Sequence, residues 1–116
     1  MTSYKRGDVV LVLFPNSDLR SAKRRPALIV QSSKLKTGLN QTIVAMITSN
    51  LSRAEHPSRV VVRLQTPEGK QSGLLFDSVI MTDNIATVRN SEIDKAIGHL
   101  LKMTDVEDAL RHTLEL

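Results

Sequence analysis

The sequence changes from charged to apolar side chains within residues 23–31, which read KRRPALIVQ. Three consecutive cations precede Pro26, and the proline opens a short aliphatic run. Proline is tolerated at the first position of a strand, where its missing N–H costs least. The stretch therefore predicts a buried strand that begins at Pro26 and a cationic segment immediately before it.

Similar aliphatic runs recur along the chain at the length of a strand. Each run is short, rich in β-branched residues and bounded by turn residues, which favours buried strands over helices. The predicted strands are 9–14, 26–31, 42–48, 59–64, 73–81 and 84–88, with a turn at 66–69. Residues 15–24 show no apolar period and predict a loop of roughly ten residues, a length more often functional than that of short loops.

The C-terminal part of the chain changes to helical spacing. Ser91 is a typical N-cap, and the apolar residues after it predict a helix over 91–100. Thr104 and Glu107 have the capping-box pattern that opens a second helix. Short strands followed by terminal helices predict a mainly β fold with α elements, a small barrel covered by helices. A length of 116 residues suits one domain spanning 1–116.

Charge is distributed unevenly along the chain. Residues 1–70 contain twelve Lys or Arg against four Asp or Glu, whereas residues 71–116 contain four against eight. The basic part favours an anionic ligand, and ordinary solvated surface charge is the alternative interpretation. Few aromatic residues exclude base stacking as the main means of holding a nucleic acid. No run has membrane-spanning length, so a soluble, cytoplasmic protein with no membrane partner is expected.

Two groups of residues are candidates for chemistry. Arg25 stands where the predicted loop meets a strand, and a guanidinium binds phosphate bidentately and stays charged. The alternative for Arg25 is a surface arginine ahead of a proline. The run Thr48, Ser49 and Asn50 ends a predicted strand with three hydrogen-bonding side chains. These could donate to a phosphoryl oxygen or cap the strand end, and the residues alone favour the cap.

The remaining polar residues give weaker signals. The chain has no cysteine, and none of its three histidines has metal-ligand spacing with another. His99 and His112 lie in the acidic part and are interpreted as structural or exposed, whereas His56 lies in a proline-containing loop of the basic part. No glycine-rich phosphate loop is present. The sequence therefore predicts neither a metal nor a nucleotide cofactor.

The ordered set of these features resembles the MazF/PemK-type toxins. The resemblance covers nearly the whole chain, and the order and spacing of the matching motifs are more specific than any one motif. It rests on residues 7–12 (GDVVLV), 25–30 (RPALIV), 48–49 (TS), 73–74 (GL), 77–80 (DSVI) and 83–88 (DNIATV). The chain departs from the pattern at Met81 and Ala86, since some relatives have arginine at these positions.

The resemblance implies an SH3-like β-barrel of the CcdB/PemK-like type with C-terminal helices, usually as a homodimer. It implies a sequence-specific, ribosome-independent endoribonuclease that cleaves single-stranded RNA such as mRNA. It also implies inhibition by a cognate antitoxin, often through an acidic C-terminal segment, and no metal or organic cofactor. The conserved loop arginine of these toxins falls on Arg25 and their strand-end threonine on Thr48, which are therefore the expected catalytic residues.

The chemistry expected from this resemblance is transesterification, in which the ribose 2′-hydroxyl attacks the adjacent phosphorus. Arg25 would stabilise charge on the phosphoryl oxygens, and Thr48 would add a neutral donor. Arg20, Lys23 and Arg24 are expected to contact flanking phosphates. Asn16, Ser17, Gln31, Ser49 and Asn50 are expected to contact base edges of an unstacked strand. Two rival classes remain: a CcdB-like toxin that poisons a topoisomerase, and a non-catalytic SH3-like binding module.

Overall fold

A computed structural model describes residues 4–15, 18 and 20–116. Within these residues, six strands, two α-helices and two 3-10 turns follow one another along the chain. The strands are β1 (Asp8–Pro15), β2 (Ala22–Ile29), β3 (Gln41–Thr48), β4 (Arg59–Val62), β5 (Ser78–Arg89) and β6 (Ile93–His99). The helices are α1 (Pro67–Ser72) and α2 (Thr104–Leu114), and the 3-10 turns are Leu51–Arg53 and Asn90–Glu92.

The six strands form one antiparallel sheet in the order β4-β5-β3-β2-β1-β6. This confirms the predicted mainly β fold with α elements. The sheet is open in the described part of the chain, since β4 and β6 are its two edges and do not pair, so a closed barrel is not formed. Helix α1 packs against the edge strand β6, and α2 packs against β4 and β5.

Both faces of the central strands are buried. Alternate residues of each strand point to opposite faces, so each strand contributes to two separate apolar clusters. One face carries an apolar cluster that includes Val12, Ala27, Met46 and Met81. The other face carries a second cluster that includes Leu28 of β2 and residues of α2. This double burial explains why the central strands are continuous apolar runs and do not alternate with polar residues.

The helix predicted over 91–100 is wrong, because Ile93–His99 is the edge strand β6 and the predicted N-cap Ser91 lies inside the 3-10 turn Asn90–Glu92. Its ladder with β1 contains two register shifts, next to Val10 and Val12. The shifts interrupt the period of two, so the buried positions fall at a spacing that resembles a helical one. The close approach of Gly98 to α1 also requires a glycine, since a Cβ there would lie 2.3 Å from the carbonyl oxygen of Gln71.

The turn predicted at 66–69 is the first part of helix α1. Thr66 caps this helix by accepting a hydrogen bond from the Gly69 N–H at 3.1 Å, and Pro67 occupies the first turn, where it needs no N–H partner. The two strands predicted at 73–81 and 84–88 are the single long strand β5, which begins only at Ser78.

The second helix, over Thr104–Leu114, is confirmed and buries Val106 and Ala109 against the sheet. The capping box predicted for it is wrong, because the N-cap is Met103, which makes no side-chain cap hydrogen bond, and the Glu107 carboxylate pairs with Arg6 instead. Thr113 on this helix shares a hydrogen bond of 2.8 Å with the fully buried Thr82 of β5. Within the described residues, no helix combines the length and the apolar character needed to cross a membrane.

Candidate active site

Strands β2 and β3 separate at one end, and this separation creates the candidate site. Their ladder consists of Ala27–Met46, Leu28–Ala45 and Ile29–Val44. Beyond the first of these pairs, β2 continues to Ala22 along β1, and the structure gives this described segment no pairing with β3. The strand predicted to begin at Pro26 therefore begins four residues earlier, so Arg24 and Arg25 lie within it.

Pro26 can lie in the middle of β2 because its nitrogen points to a side where no neighbouring strand needs an N–H donor. Val30 donates its N–H to the carbonyl oxygen of Ile43 on the β3 side, at 3.2 Å. Backbone groups of a strand point alternately to its two neighbours. The nitrogen of Pro26 therefore points to the side where β3 has already separated, and its missing N–H breaks no ladder hydrogen bond.

A groove of about 890 Å³ follows the separation of the two strands. Arg25 and Thr48 both line it, each two residues beyond the Ala27–Met46 pair. Since alternate residues share a face, both side chains belong to the face of Met46. The structure thus brings together the two residues predicted to be catalytic.

The groove is strongly cationic. Its described lining residues contain no Asp, Glu or His, and the cationic ones are Lys23, Arg24, Arg25, Arg53 and Lys95. Arg24 is in an ion pair with Asp94, with 3.3 Å between Nε and Oδ2. Arg25 is exposed and has no carboxylate within ion-pair distance in the part of the chain that the structure describes. Uncompensated positive charge in a cleft attracts a polyanion.

Thr48 combines a capping role with a free donor. Its Oγ1 accepts the backbone N–H of Asn50 at 3.1 Å, which fixes the turn after β3. A hydroxyl can accept and donate at the same time, so the Thr48 hydrogen remains available for a ligand oxygen. The two interpretations of this strand end, cap and donor, are therefore compatible.

Only some of the other predicted contact residues line the groove. Lys23, Arg24 and Ser49 line the groove. Arg20 and Gln31 do not line it, and the amide oxygen of Gln31 accepts the Ile43 N–H at 3.1 Å. Asn50 also lies outside the lining, where its Oδ1 accepts the Ser52 N–H at 3.1 Å. Asn16 and Ser17 lie outside the described residues.

The exposed groove residues that the sequence interpretation missed include Arg53, Phe76 and Lys95. Lys95 was missed because its segment was predicted to be helical, whereas its pairing with Leu11 places it beside the groove. Arg53 follows directly on the polar run after Thr48, and a 3-10 turn directs it back to the groove. The sequence carries no signal for Phe76, since its exposure is seen only in the structure.

The family model for the PemK-like, MazF-like toxins of type II toxin–antitoxin systems matches residues 5–114. The chain belongs to this toxin family. The endoribonuclease MazF6 of Mycobacterium tuberculosis is 32% identical over 107 residues, covering 90% of this chain and 90% of that protein. Endoribonuclease EndoA of Bacillus subtilis is 31% identical over 115 residues, covering 97% and 95%.

Solved structures show the same fold for this toxin. An endoribonuclease in complex with its cognate antitoxin from a mycobacterial species has a TM-score of 0.76 at 20% identity, over 98% of this chain and 97% of that one. A MazE–MazF structure from Deinococcus radiodurans has a TM-score of 0.74 at 17% identity, over 99% of both chains. The family predicted from the sequence is confirmed, and the endoribonuclease relatives do not favour the CcdB-like or binding-module alternatives.

The two departures of this toxin from the arginine-containing pattern both lie in the groove. Met81 and Ala86 line it, and Met81 is buried, with 7% of its surface exposed. The wall formed by β5 is therefore apolar at these positions. The positive charge of the groove comes from residues of other segments, namely Lys23, Arg24, Arg25, Arg53 and Lys95.

The histidines of the toxin lie elsewhere. The rings of His56 and His112 meet edge to face, with 6.1 Å between their centroids, outside the groove lining. The Nδ1 of His56 is 2.6 Å from the Ser58 hydroxyl. His99 lies 3.9 Å from Asp8. Within the described residues, no group of three or more potential metal ligands is present.

Proposed function

We propose that this toxin is a metal-independent endoribonuclease that cleaves single-stranded RNA, such as mRNA, in the cationic groove, at specific sequences and without the ribosome. The observation that carries the proposal is that Arg25 and Thr48 lie at matching positions on one face of two separating strands and line the same groove, which has no carboxylate among its described lining. The endoribonuclease relatives support the reaction class. Because its substrate is mRNA, the proposal places the protein in the cytoplasm.

The reaction is an intramolecular transesterification. The ribose 2′-oxygen forms a bond to the adjacent phosphorus as the bond from phosphorus to the 5′-oxygen breaks. The 2′-hydroxyl loses its proton to water in the open groove, and the leaving 5′-oxygen takes one from water. The products are a 2′,3′-cyclic phosphate and a 5′-hydroxyl, so no atoms beyond those of the RNA are consumed.

The role of the protein in this step is to stabilise charge and to position the phosphate. The transition state gathers negative charge on the non-bridging phosphoryl oxygens, which the Arg25 guanidinium binds as a bidentate fork. The Thr48 hydroxyl donates a further hydrogen bond to one of these oxygens. Arg25 keeps its proton throughout, since a guanidinium is a poor base. Lys23, Arg24 and Ser49 hold the flanking phosphates and bases.

The proposal includes a cognate antitoxin that blocks the groove with an acidic segment, and a homodimer as the active form. Charge complementarity supports the first part, since the groove has unpaired cations and no acidic lining residue among those described. The mycobacterial endoribonuclease and the MazE–MazF assembly support it by likeness. Light scattering measures the molar mass of the protein and so tests the homodimer directly.

The experiment compares wild type with Arg25→Ala on a long single-stranded RNA in EDTA, with the product ends mapped. The expected result is cutting at a recurring short sequence with 5′-hydroxyl ends, slower by about 100-fold or more in Arg25→Ala. Arg111→Ala is the matched control, because Arg111 is exposed on α2 and pairs only locally with Asp108. Absence of cuts by folded wild-type protein on diverse RNAs would refute the proposal.

A further inference from the structure

Phe76 is a large apolar side chain that projects into the cationic groove. It is 65% exposed, and the adjacent Leu75 is 82% exposed. Both belong to residues 74–76 (LLF), and all three line the groove. Contiguous exposed apolar side chains on a folded protein mark a contact surface.

The segment 74–76 is fixed at its N-terminal end. Gly73 adopts a left-handed conformation with φ of 73°, and a Cβ there would lie 1.9 Å from the carbonyl oxygen of Ile97. The backbone therefore passes close to β6 at a point where only glycine fits. One residue later, the Leu74 N–H donates to the Ser72 hydroxyl oxygen at 3.2 Å.

The segment is also fixed at its C-terminal end. The Asp77 carboxylate accepts the Leu64 N–H at 2.8 Å, and this hydrogen bond lowers the pKa of Asp77. The Ser78 hydroxyl donates to the carbonyl oxygen of Phe76 at 2.8 Å. Because both ends of the segment are held, Phe76 is exposed by a defined backbone conformation and not by a flexible loop.

The groove presents two kinds of chemistry together. The cationic side chains of Lys23, Arg24 and Arg25 suit phosphates, and the ring of Phe76 offers a π-face. Single-stranded nucleic acid carries both complementary groups, a phosphate and an unstacked base, in every repeat unit. Among the described groove residues, Phe76 is the one aromatic side chain.

We propose that Phe76 stacks on a base of the bound RNA and so contributes to selecting the sequence that is cut. This inference rests on the proposed function and adds a specificity-determining residue to it. One stacking position is consistent with the low aromatic content of the chain, since the phosphate contacts supply most of the affinity and the stacked base adds a preference for bases that stack strongly.

Three variants test the stacking directly. Phe76→Leu keeps an apolar side chain and removes the ring, whereas Phe76→Trp replaces the ring with a larger aromatic one. The chain has no tryptophan, so Phe76→Trp also provides a single fluorescent reporter. Leu116→Trp is the matched control, because Leu116 is 83% exposed and lies outside the groove lining.

The ligand is a 2′-O-methyl RNA of about twelve nucleotides that spans a mapped cut site, a length near the site size of single-strand binders. It has no free 2′-hydroxyl and cannot be cleaved. We expect Phe76→Leu to raise its Kd about tenfold with an unchanged salt slope, because a base contact is lost and no phosphate contact is. Phe76→Trp keeps the affinity, and its fluorescence is quenched on saturation, unlike that of Leu116→Trp.

Two results would overturn the inference while leaving the proposed function intact. One is wild-type affinity and an unchanged cut sequence in Phe76→Leu, with no quenching in Phe76→Trp. The other is a lower molar mass of Phe76→Leu in light scattering, which would assign the side chain to a protein contact. Failure of the wild type itself to cleave RNA is the separate outcome that refutes the proposed function.

Discussion

Arg25 of β2 and Thr48 of β3 occupy matching positions, each two residues beyond the last pair of their shared ladder, Ala27–Met46. The strands that carry them continue into ordered pairings with other neighbours, β1 for Arg25 and β5 for Thr48. Each side chain is therefore held by its own ladder while the space between the two strands stays open. A site built on strands holds its groups more accurately than one built on loops.

The first prediction concerns the shape of the Arg25 side chain and not only its charge. Arg25→Lys keeps the positive charge but replaces a bidentate fork with a point charge. We expect kcat to fall about 100-fold while the salt slope of RNA binding stays unchanged. Single-turnover cleavage and salt-dependent anisotropy measure the two effects. Equal kcat for arginine and lysine would show that charge alone is sufficient.

The second prediction concerns the hydroxyl of Thr48. Thr48→Val is nearly isosteric but has no donor for a phosphoryl oxygen and no acceptor for the Asn50 N–H. We expect kcat to fall about 100-fold, as for the loss of one oxyanion donor. Thr48→Ser keeps the hydroxyl and is the matched control, with kcat close to that of wild type. If the valine variant cleaves RNA as fast as the serine variant, Thr48 is only a cap.

The third prediction concerns Lys95, whose pairing with Leu11 places it at the groove. Lys95→Gln removes one phosphate contact, so the slope of log Kd against log salt should fall by about 0.7. Lys102→Gln is the matched control, because Lys102 is exposed and absent from the groove lining. Identical slopes for the two variants would exclude Lys95 from the RNA path.

The central architecture could be predicted from the sequence because the apolar runs are short and strongly β-branched. Strands β1, β3 and β4 and helix α2 fall within one or two residues of their predicted positions at most ends. The family could be predicted as well, since its signature lies in these same runs. Arg25 and Thr48 were found because each adjoins such a run.

The misplaced elements share a physical cause, which is tertiary structure overriding local pattern. Ile93 to Leu100 has apolar residues at helical spacing only because two register shifts interrupt the β1–β6 ladder. The strand β2 extends back to Ala22 because β1 continues beside it, a pairing that leaves no mark in the residues 20–25 themselves. Lys95 and Phe76 could not be predicted as groove residues, since Lys95 is placed by the β1–β6 ladder and Phe76 by the close contact at Gly73.

The fourth prediction concerns the pH dependence of stability at the Arg59–Asp83 pair. Arg59 contacts Asp83 through two hydrogen bonds, of 2.9 Å from Nε and 2.6 Å from a terminal nitrogen. These bonds lower the pKa of Asp83 and raise that of Arg59. A carboxyl group whose pKa is lowered by folding stabilises the protein above its unfolded pKa of about 3.9, and this contribution is lost as pH falls further.

Asp83→Asn should therefore lower Tm by about 3 °C near pH 7 and by progressively less below about pH 4, where wild-type Asp83 also becomes neutral. Thermal unfolding of both proteins across this range measures the difference. Asp108→Asn is the matched control, because the Asp108 side chain is 69% exposed, against 35% for Asp83, and pairs with Arg111 within one helix. A Tm difference for Asp83→Asn that stayed constant with pH would mean that the amide substitution acts through packing and not through the charge of the pair.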